Sequence, residues 1–152
     1  MIEIRPVQRQ DLAVICKHRR SMFGEMGWST AKLDAAMATF AEWLAPRLDD
    51  DSYYGFLAEE QGADVGGIGL MALEFPPHPI HPESSQRGYI LNLFVDPGCR
   101  GKGVAKRLMQ AGEAEFKKRG IHYAVLHASR MGRPVYERMG WVISPEMAKV
   151  LA

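Results

Sequence analysis

Cysteine is scarce in this 152-residue sequence: Cys16 and Cys99 are its only two, far apart and in no metal or redox spacing. That excludes a disulfide framework and a cysteine-built metal finger, and it predicts a reducing, cytoplasmic setting. Net charge is nearly absent, with 19 basic against 18 acidic residues leaving +1. A surface so balanced gives no general attraction for nucleic acid or an anionic membrane, so neither is expected as a partner and any phosphate binding must be local. No stretch approaches the roughly 18 apolar residues of a membrane span, and Met1 to Arg5 lacks the basic-then-apolar build of a secretion signal. Repeats and low-complexity tracts are missing too, and 47% hydrophobic with 24% charged residues is the composition of an ordinary folded domain. One domain over 1–152 is expected.

Ile2 to Arg5 alternates as a strand does, closed by Pro6. Leu12, Ile15, Cys16, Arg19, Met22 and Phe23 then fall at helical spacing, starting near Asp11 and ending near Gly24. Ser29 and Thr30 offer an N-cap for a second helix with Leu33, Met37, Phe40, Ala41 and Leu44 on one face, and Pro46 with Asp49, Asp50 and Asp51 predicts its end. The three adjacent aspartates read as a solvated turn, since they cannot all face one ion. Tyr53–Ala58 and Val65–Leu73 predict an antiparallel hairpin turning through Gln61 to Asp64. Glu74 to Arg87 holds Pro76, Pro77, Pro79 and Pro82, which predicts a long extended loop. Gly88–Val95 then reads as a strand, Gly101–Arg119 as a helix, Ile121–Leu126 as a strand and Arg133–Met139 as a short helix. The strand, helix, strand order predicts a right-handed parallel crossover with both strands buried, and hence an α/β fold of the mixed, α+β kind.

The chemistry concentrates in the strand Leu91 to Val95 and the turn that follows it, Asp96-Pro97-Gly98-Cys99-Arg100-Gly101-Lys102-Gly103-Val104-Ala105. Glycines at 101 and 103 let the backbone curl so that several N–H groups point into one concavity, where a helix N-terminus also favours an anion. Arg100, Lys102 and Lys106 add local positive charge. The pattern therefore predicts a diphosphate seat. A Walker loop is excluded because Val104-Ala105 follows Gly103 where lysine and a hydroxyl are required, and a dinucleotide fingerprint because Lys106 stands in place of its third glycine.

The stretch Arg100-Gly101-Lys102-Gly103-Val104-Ala105, preceded by Val95-Asp96-Pro97, resembles motif A of the GCN5-related N-acetyltransferases, Arg/Gln-x-x-Gly-x-Gly/Ala. Its specified positions are met by Arg100, Gly103 and Ala105. Pro134-Val135-Tyr136-Glu137-Arg138-Met139-Gly140-Trp141 resembles the Leu-Tyr-Glu-x-x-Gly-Phe motif of the same family, in the right order along the chain. The sequence departs from the family pattern at Ser129, where asparagine is common, and at Gly132, where alanine is.

The resemblance implies a mixed central sheet flanked by helices and acetyl-CoA as donor. It implies that Leu93, Phe94 and Val95 pair with the pantetheine amides, that Arg100, Gly101, Lys102, Gly103, Val104 and Ala105 seat the diphosphate, and that Ser129 reaches the pantetheine arm. It gives Tyr136 the role of general acid toward the leaving thiolate; a phenol, with its reference pKa near 10, is protonated at neutral pH and suits a donor. The acceptor it implies is an amine on a small molecule or peptide, and homodimers are common among such proteins. A non-catalytic acyl-CoA-binding regulatory module is the second role compatible with the same motifs. No spacing selects a general base among Glu25, Glu74, His78, His81, Glu83 and His127, although His127 closes the strand after the motif helix. His78 and His81 lack a third ligand, so no metal is expected. Met22, Phe23, Met26 and Trp28 flank the break where this fold meets its acceptor.

Overall fold

Strand β1 (Ile2–Pro6) lies antiparallel to β2 (Tyr54–Glu60), with Ile4 opposite Ala58. β2 folds back onto β3 (Ala63–Glu74) through Gln61 and Gly62, both at positive φ (52° and 79°). This is a two-residue hairpin turn whose twist suits the flanking strands, so β3 starts two residues earlier than the sequence predicts. β4 (Gln86–Val95) pairs antiparallel with β3, and β5 (Ala124–Leu126) pairs parallel with β4. The result is one mixed sheet in the order β1-β2-β3-β4-β5. These are the features of the computed structural model, which describes residues 1–151.

Helices α1 (Leu12–Glu25) and α2 (Thr30–Asp49) cover one face of the sheet, burying Ile15, Phe40 and Leu44 against Tyr53. Helix α3 (Val104–Lys118) covers the other, with Val104, Leu108, Met109, Gly112 and Phe116 packed on Tyr54, Ile68, Leu70 and Ile90. The short helix α4 (Arg133–Arg138) follows β5. Among the described residues no helix is long and apolar enough to cross a membrane.

Two expectations are met with detail added, and two need correction. α2 ends at Asp49, within the acidic run that the sequence predicts as its end and three residues beyond Pro46. A proline this close to a helix C-terminus removes one backbone donor, but the last turn still closes by Asp50 N–H to the Pro46 carbonyl, and Arg47 Nη1 donates to the Trp43 carbonyl at 2.7 Å. The motif helix starts at Val104, because Gly101 and Gly103 are left-handed and cannot lie in a right-handed helix. β5 is three residues long and half-buried, where a buried strand of six was expected. Finally, the proline-rich stretch is a loop between β3 and β4 as expected, and it is tied down. His81 Nδ1 donates to the Ser84 carbonyl (3.0 Å), His81 Nε2 accepts from Arg87 Nε (2.8 Å), and the Arg87 guanidinium stacks on Phe75, 3.5 Å from the ring centre.

Candidate active site

β4 is unbroken from Gln86 to Val95, but its pairing with β3 is irregular. Gly67 pairs with Phe94 and Gly69 with Leu91, so Ile68 alone opposes both Asn92 and Leu93. This β-bulge needs one residue out of extended geometry, and Asn92 supplies it at φ 55°, a left-handed conformation that asparagine tolerates better than its apolar neighbours would. On the opposite edge, pairing of β4 with β5 stops at Ile90 and Leu126. Beyond that point the two strands part.

Their separation opens a cavity of about 870 Å³. Leu93, Phe94 and Val95 form one wall, Ser129 to Gly132 with Val135, Tyr136 and Met139 the other, and Met22 and Glu25 of α1, with Met26 just after it, complete the lining. The floor is the turn before α3: Cys99, Arg100, Gly101, Gly103, Val104, Ala105 and Lys106 all line it. Gly101 and Gly103 sit at φ 77° and 78° with open space where a Cβ would project, so conformation and not room demands glycine there. Gly103 caps α3 with no side chain accepting from the helix amides, which leaves the positive end of the dipole facing the cavity. Val104 buries its side chain in the core, so its backbone is what it offers a ligand.

The basic residues of the turn are disposed differently from one another. Arg100 is not a free positive charge: its Nη2 donates to both carboxylate oxygens of Glu25 (2.7 and 2.9 Å), and its Nε donates to the Val95 carbonyl at 2.8 Å. Lys102 is exposed and lies outside the cavity wall, whereas Lys106 lines it. Ser129 Oγ accepts from the Gly132 amide at 3.0 Å, folding the chain into α4. Tyr136, 8% exposed, lies in the wall made by α4, and burial pushes its phenol above the ordinary tyrosine range. A Cβ on Gly132 would come within 3.1 Å of both Ser129 Oγ and Tyr136 Oη, so any side chain at this position would press on both groups.

Of the base candidates, Glu25 lines the cavity but is spent on Arg100. Glu74 and Glu83 are exposed away from it, and His78 and His81 belong to the loop clasp. His127 is not in the cavity. It accepts from or donates to Tyr89 Oη at 2.8 Å, and it faces a second hollow of about 710 Å³ behind α4, near Glu146. No cluster of three or more potential metal-ligating side chains occurs among the described residues.

The family model described as acetyltransferase (GNAT) family matches residues 13–141, most of the chain. The chain belongs to the GNAT family. The crystal structure of a GCN5-related N-acetyltransferase from Ralstonia eutropha is 51% identical, with 99% of each chain covered and a TM-score of 0.97. More distant GNAT-like structures share the fold alone. A predicted acetyltransferase from Clostridium acetobutylicum, solved with acetyl-CoA, is 24% identical (99% of this chain, 96% of that one, TM-score 0.88). Glucosamine-6-phosphate N-acetyltransferase from Arabidopsis thaliana is 20% identical (100% and 99%, TM-score 0.68). No curated protein shows significant similarity to the sequence.

Two features of this GNAT domain escape a reading of the sequence. Asn92 is 5% exposed; its Oδ1 accepts from Arg19 Nη1 at 2.7 Å and its Nδ2 donates to Tyr53 Oη at 2.9 Å. Burial and the neighbouring groups leave the Tyr53 phenol pushed up to about 12. His18, 3% exposed, packs its ring 5.1 Å from that of Phe94 behind the cavity wall, and burial lowers its pKa below the usual histidine value. The available signals were single polar residues in apolar settings: Asn92 within Leu91 to Val95, and Arg19 on the buried stripe of α1.

Proposed function

We propose that this GNAT protein, acting as a single domain, transfers an acetyl group from acetyl-CoA to a primary amine of a small molecule or peptide. The observation that carries the reading is the early end of β4–β5 pairing, which opens a cavity running to the uncapped N-terminus of α3. The backbone edge that β5 leaves unpaired at Leu93, Phe94 and the Val95 amide suits the amides of a pantetheine arm, as it would an added strand, while the Val95 carbonyl is taken by Arg100. The left-handed Gly101 and Gly103, the amides of Val104 and Ala105, and Lys106 suit a diphosphate. Ser129, in the opposite wall, suits a hydrogen bond to the arm. Arg100 serves by holding α1 to the turn, with Lys102 a peripheral charge.

The donor supplies an activated thioester carbonyl. The neutral amine attacks that carbon, a C–N bond forms and the C–S bond breaks. The departing thiolate takes the Tyr136 proton, and the product amide loses its extra proton to solvent, which returns one to the tyrosinate. Holding donor and acceptor in one cleft makes the attack effectively unimolecular. Tyr136 suits the donor's part because burial disfavours its anion, keeping the proton in place until a thiolate forms beside it.

The test is thiol release from acetyl-CoA across a panel of amino acids, polyamines, aminoglycosides and peptide N-termini, with Tyr136→Phe in parallel. Turnover should occur on at least one class, and Tyr136→Phe should lower kcat about 100-fold while leaving CoA affinity within about 2-fold. Binding of acetyl-CoA without turnover on any amine would instead establish a regulatory acyl-CoA-binding module.

A further inference from the structure

Arg19 lies on α1 one turn before Met22, and Arg19, Met22 and Met26 share one face of the helix. Met22 and Met26 line the cavity; Arg19 is not in its wall but lies one turn further along that face, where it meets the Asn92 bulge next to the wall residue Leu93. This is the end of the wall farthest along β4 from the phosphate turn, where the reacting end of a donor seated on that turn would lie.

The guanidinium is held without a counter-ion. It sits over the rings of Phe23 (4.8 Å to the centroid) and Phe40 (4.5 Å), and of its five N–H groups one is engaged, toward Asn92 Oδ1. Among the described residues no carboxylate pairs with it, whereas Arg5 meets Asp11, Glu59 and Asp64, and Arg100 meets Glu25. Asn92 in turn is fixed by Tyr53. Burial depresses the pKa of Arg19 but leaves it a cation, because guanidinium titrates far above neutrality. A half-buried cation stacked on aromatic rings, with unused donors in a planar fork, is a receptor for a planar anion.

We propose that the acceptor amine carries a carboxylate, and that Arg19 is the specificity residue that receives it. This inference rests on the acyl-transfer reading above and narrows its acceptor to amines of the amino-acid class. Binding the carboxylate through the fork would fix the amine at the Leu91–Leu93 segment and supply the counter-ion that the chain does not provide. The neighbouring hydroxyl of Tyr89, whose titration Arg19 influences, adds polarity on the same side of the sheet.

The experiment compares each L-amino acid with its own carboxamide as acceptor, using the full chain as wild type, Arg19→Gln and Arg19→Lys, with acetyl-CoA binding followed by calorimetry. The carboxamide amine is the less basic and so more often neutral, which biases the comparison against the proposal. Wild type should prefer the acid by about 10- to 100-fold in kcat/KM, mainly through KM. Arg19→Gln should bring that ratio close to one with acetyl-CoA affinity unchanged, and Arg19→Lys should recover part of it. Equal use of acids and carboxamides by wild type would overturn the inference, as would an Arg19→Gln variant that slows both alike. So would turnover confined to amines without a carboxylate. In each of those cases acetyl-CoA binding and turnover would leave the acyl-transfer reading standing; a wild-type chain that binds no acetyl-CoA would overturn both.

Discussion

The two carboxylate oxygens of Glu25 lie 2.7 and 2.9 Å from Nη2 of Arg100, joining the last turn of α1 to the glycine turn before α3. Both side chains are about one-third exposed, so the pair is worth little to stability, about 1 kcal/mol or less. Its consequence is electrostatic: a carboxylate stands at the mouth of a cavity proposed to take a polyanion.

Glu25→Gln removes that negative charge while Arg100 keeps its bond to the Val95 carbonyl. CoA should then bind up to about 3-fold tighter at low ionic strength, with the gain shrinking as salt screens the exposed guanidinium. Calorimetric titrations of CoA at two salt concentrations check this; unchanged or weaker binding at low salt would refute it.

A raised Tyr136 pKa sets the sign of a pH dependence. A general acid must hold its proton, and burial moves deprotonation above the ordinary tyrosine value near 10, so kcat should not lose its acid until the pH passes that range. The kcat profile of wild type should fall only at the alkaline extreme, and Tyr136→Phe should lack that limb. A wild-type limb at or below the ordinary tyrosine pKa would contradict the environment described for this phenol.

Tyr53 has a stability consequence. Its folded pKa is about 12 against an unfolded value near 10, so its protonated form is the one the fold accommodates. The contribution is fully present below about pH 10 and is lost as pH rises toward about 12, amounting to about 3 kcal/mol. Denaturant unfolding of wild type and Tyr53→Phe at pH 9 and at the alkaline end should show wild type losing that much relative to the variant. Parallel pH dependences for the two proteins would be the contrary result.

Gly103→Ala and Gly98→Ala form a matched pair. Both glycines have open space where a Cβ would go, but only Gly103 is at positive φ. Gly103→Ala should cost about 1–2 kcal/mol for forcing an L-residue into left-handed geometry and should weaken CoA binding by disturbing the amides beside it. Gly98→Ala should be nearly silent in thermal unfolding and in binding.

How much of this is legible in the sequence follows from which forces are local. Gly101 and Gly103 announce a left-handed turn because few other residues enter that conformation, and the stripe of Leu108, Met109, Gly112 and Phe116 announces α3 because burial on one face imposes its period. Pro46 with the aspartates after it marks the end of α2 to within a turn, since a proline in the last turn of a helix forfeits little. The clasp of Arg87 between His81 and Phe75 is hidden because its partners meet only after β3 and β4 pair. Asn92 is hidden for a related reason: a bulge is a property of two strands in register, and one strand's sequence carries only the hint of a polar residue where an apolar one is expected. Arg19 on a buried stripe is the same kind of hint, and both belong to the region where acceptor chemistry is proposed.

The brevity of β5 has a consequence for how this architecture comes to have an interior. Two or three more residues of β5 in parallel register would satisfy the amides of β4 beyond Ile90, and the sheet would zip shut over the space between them. The slot is therefore made by stopping, with the length of one strand acting as the width of an aperture. Any change that lengthens that strand would make the sheet more complete and leave a visitor less backbone to grip.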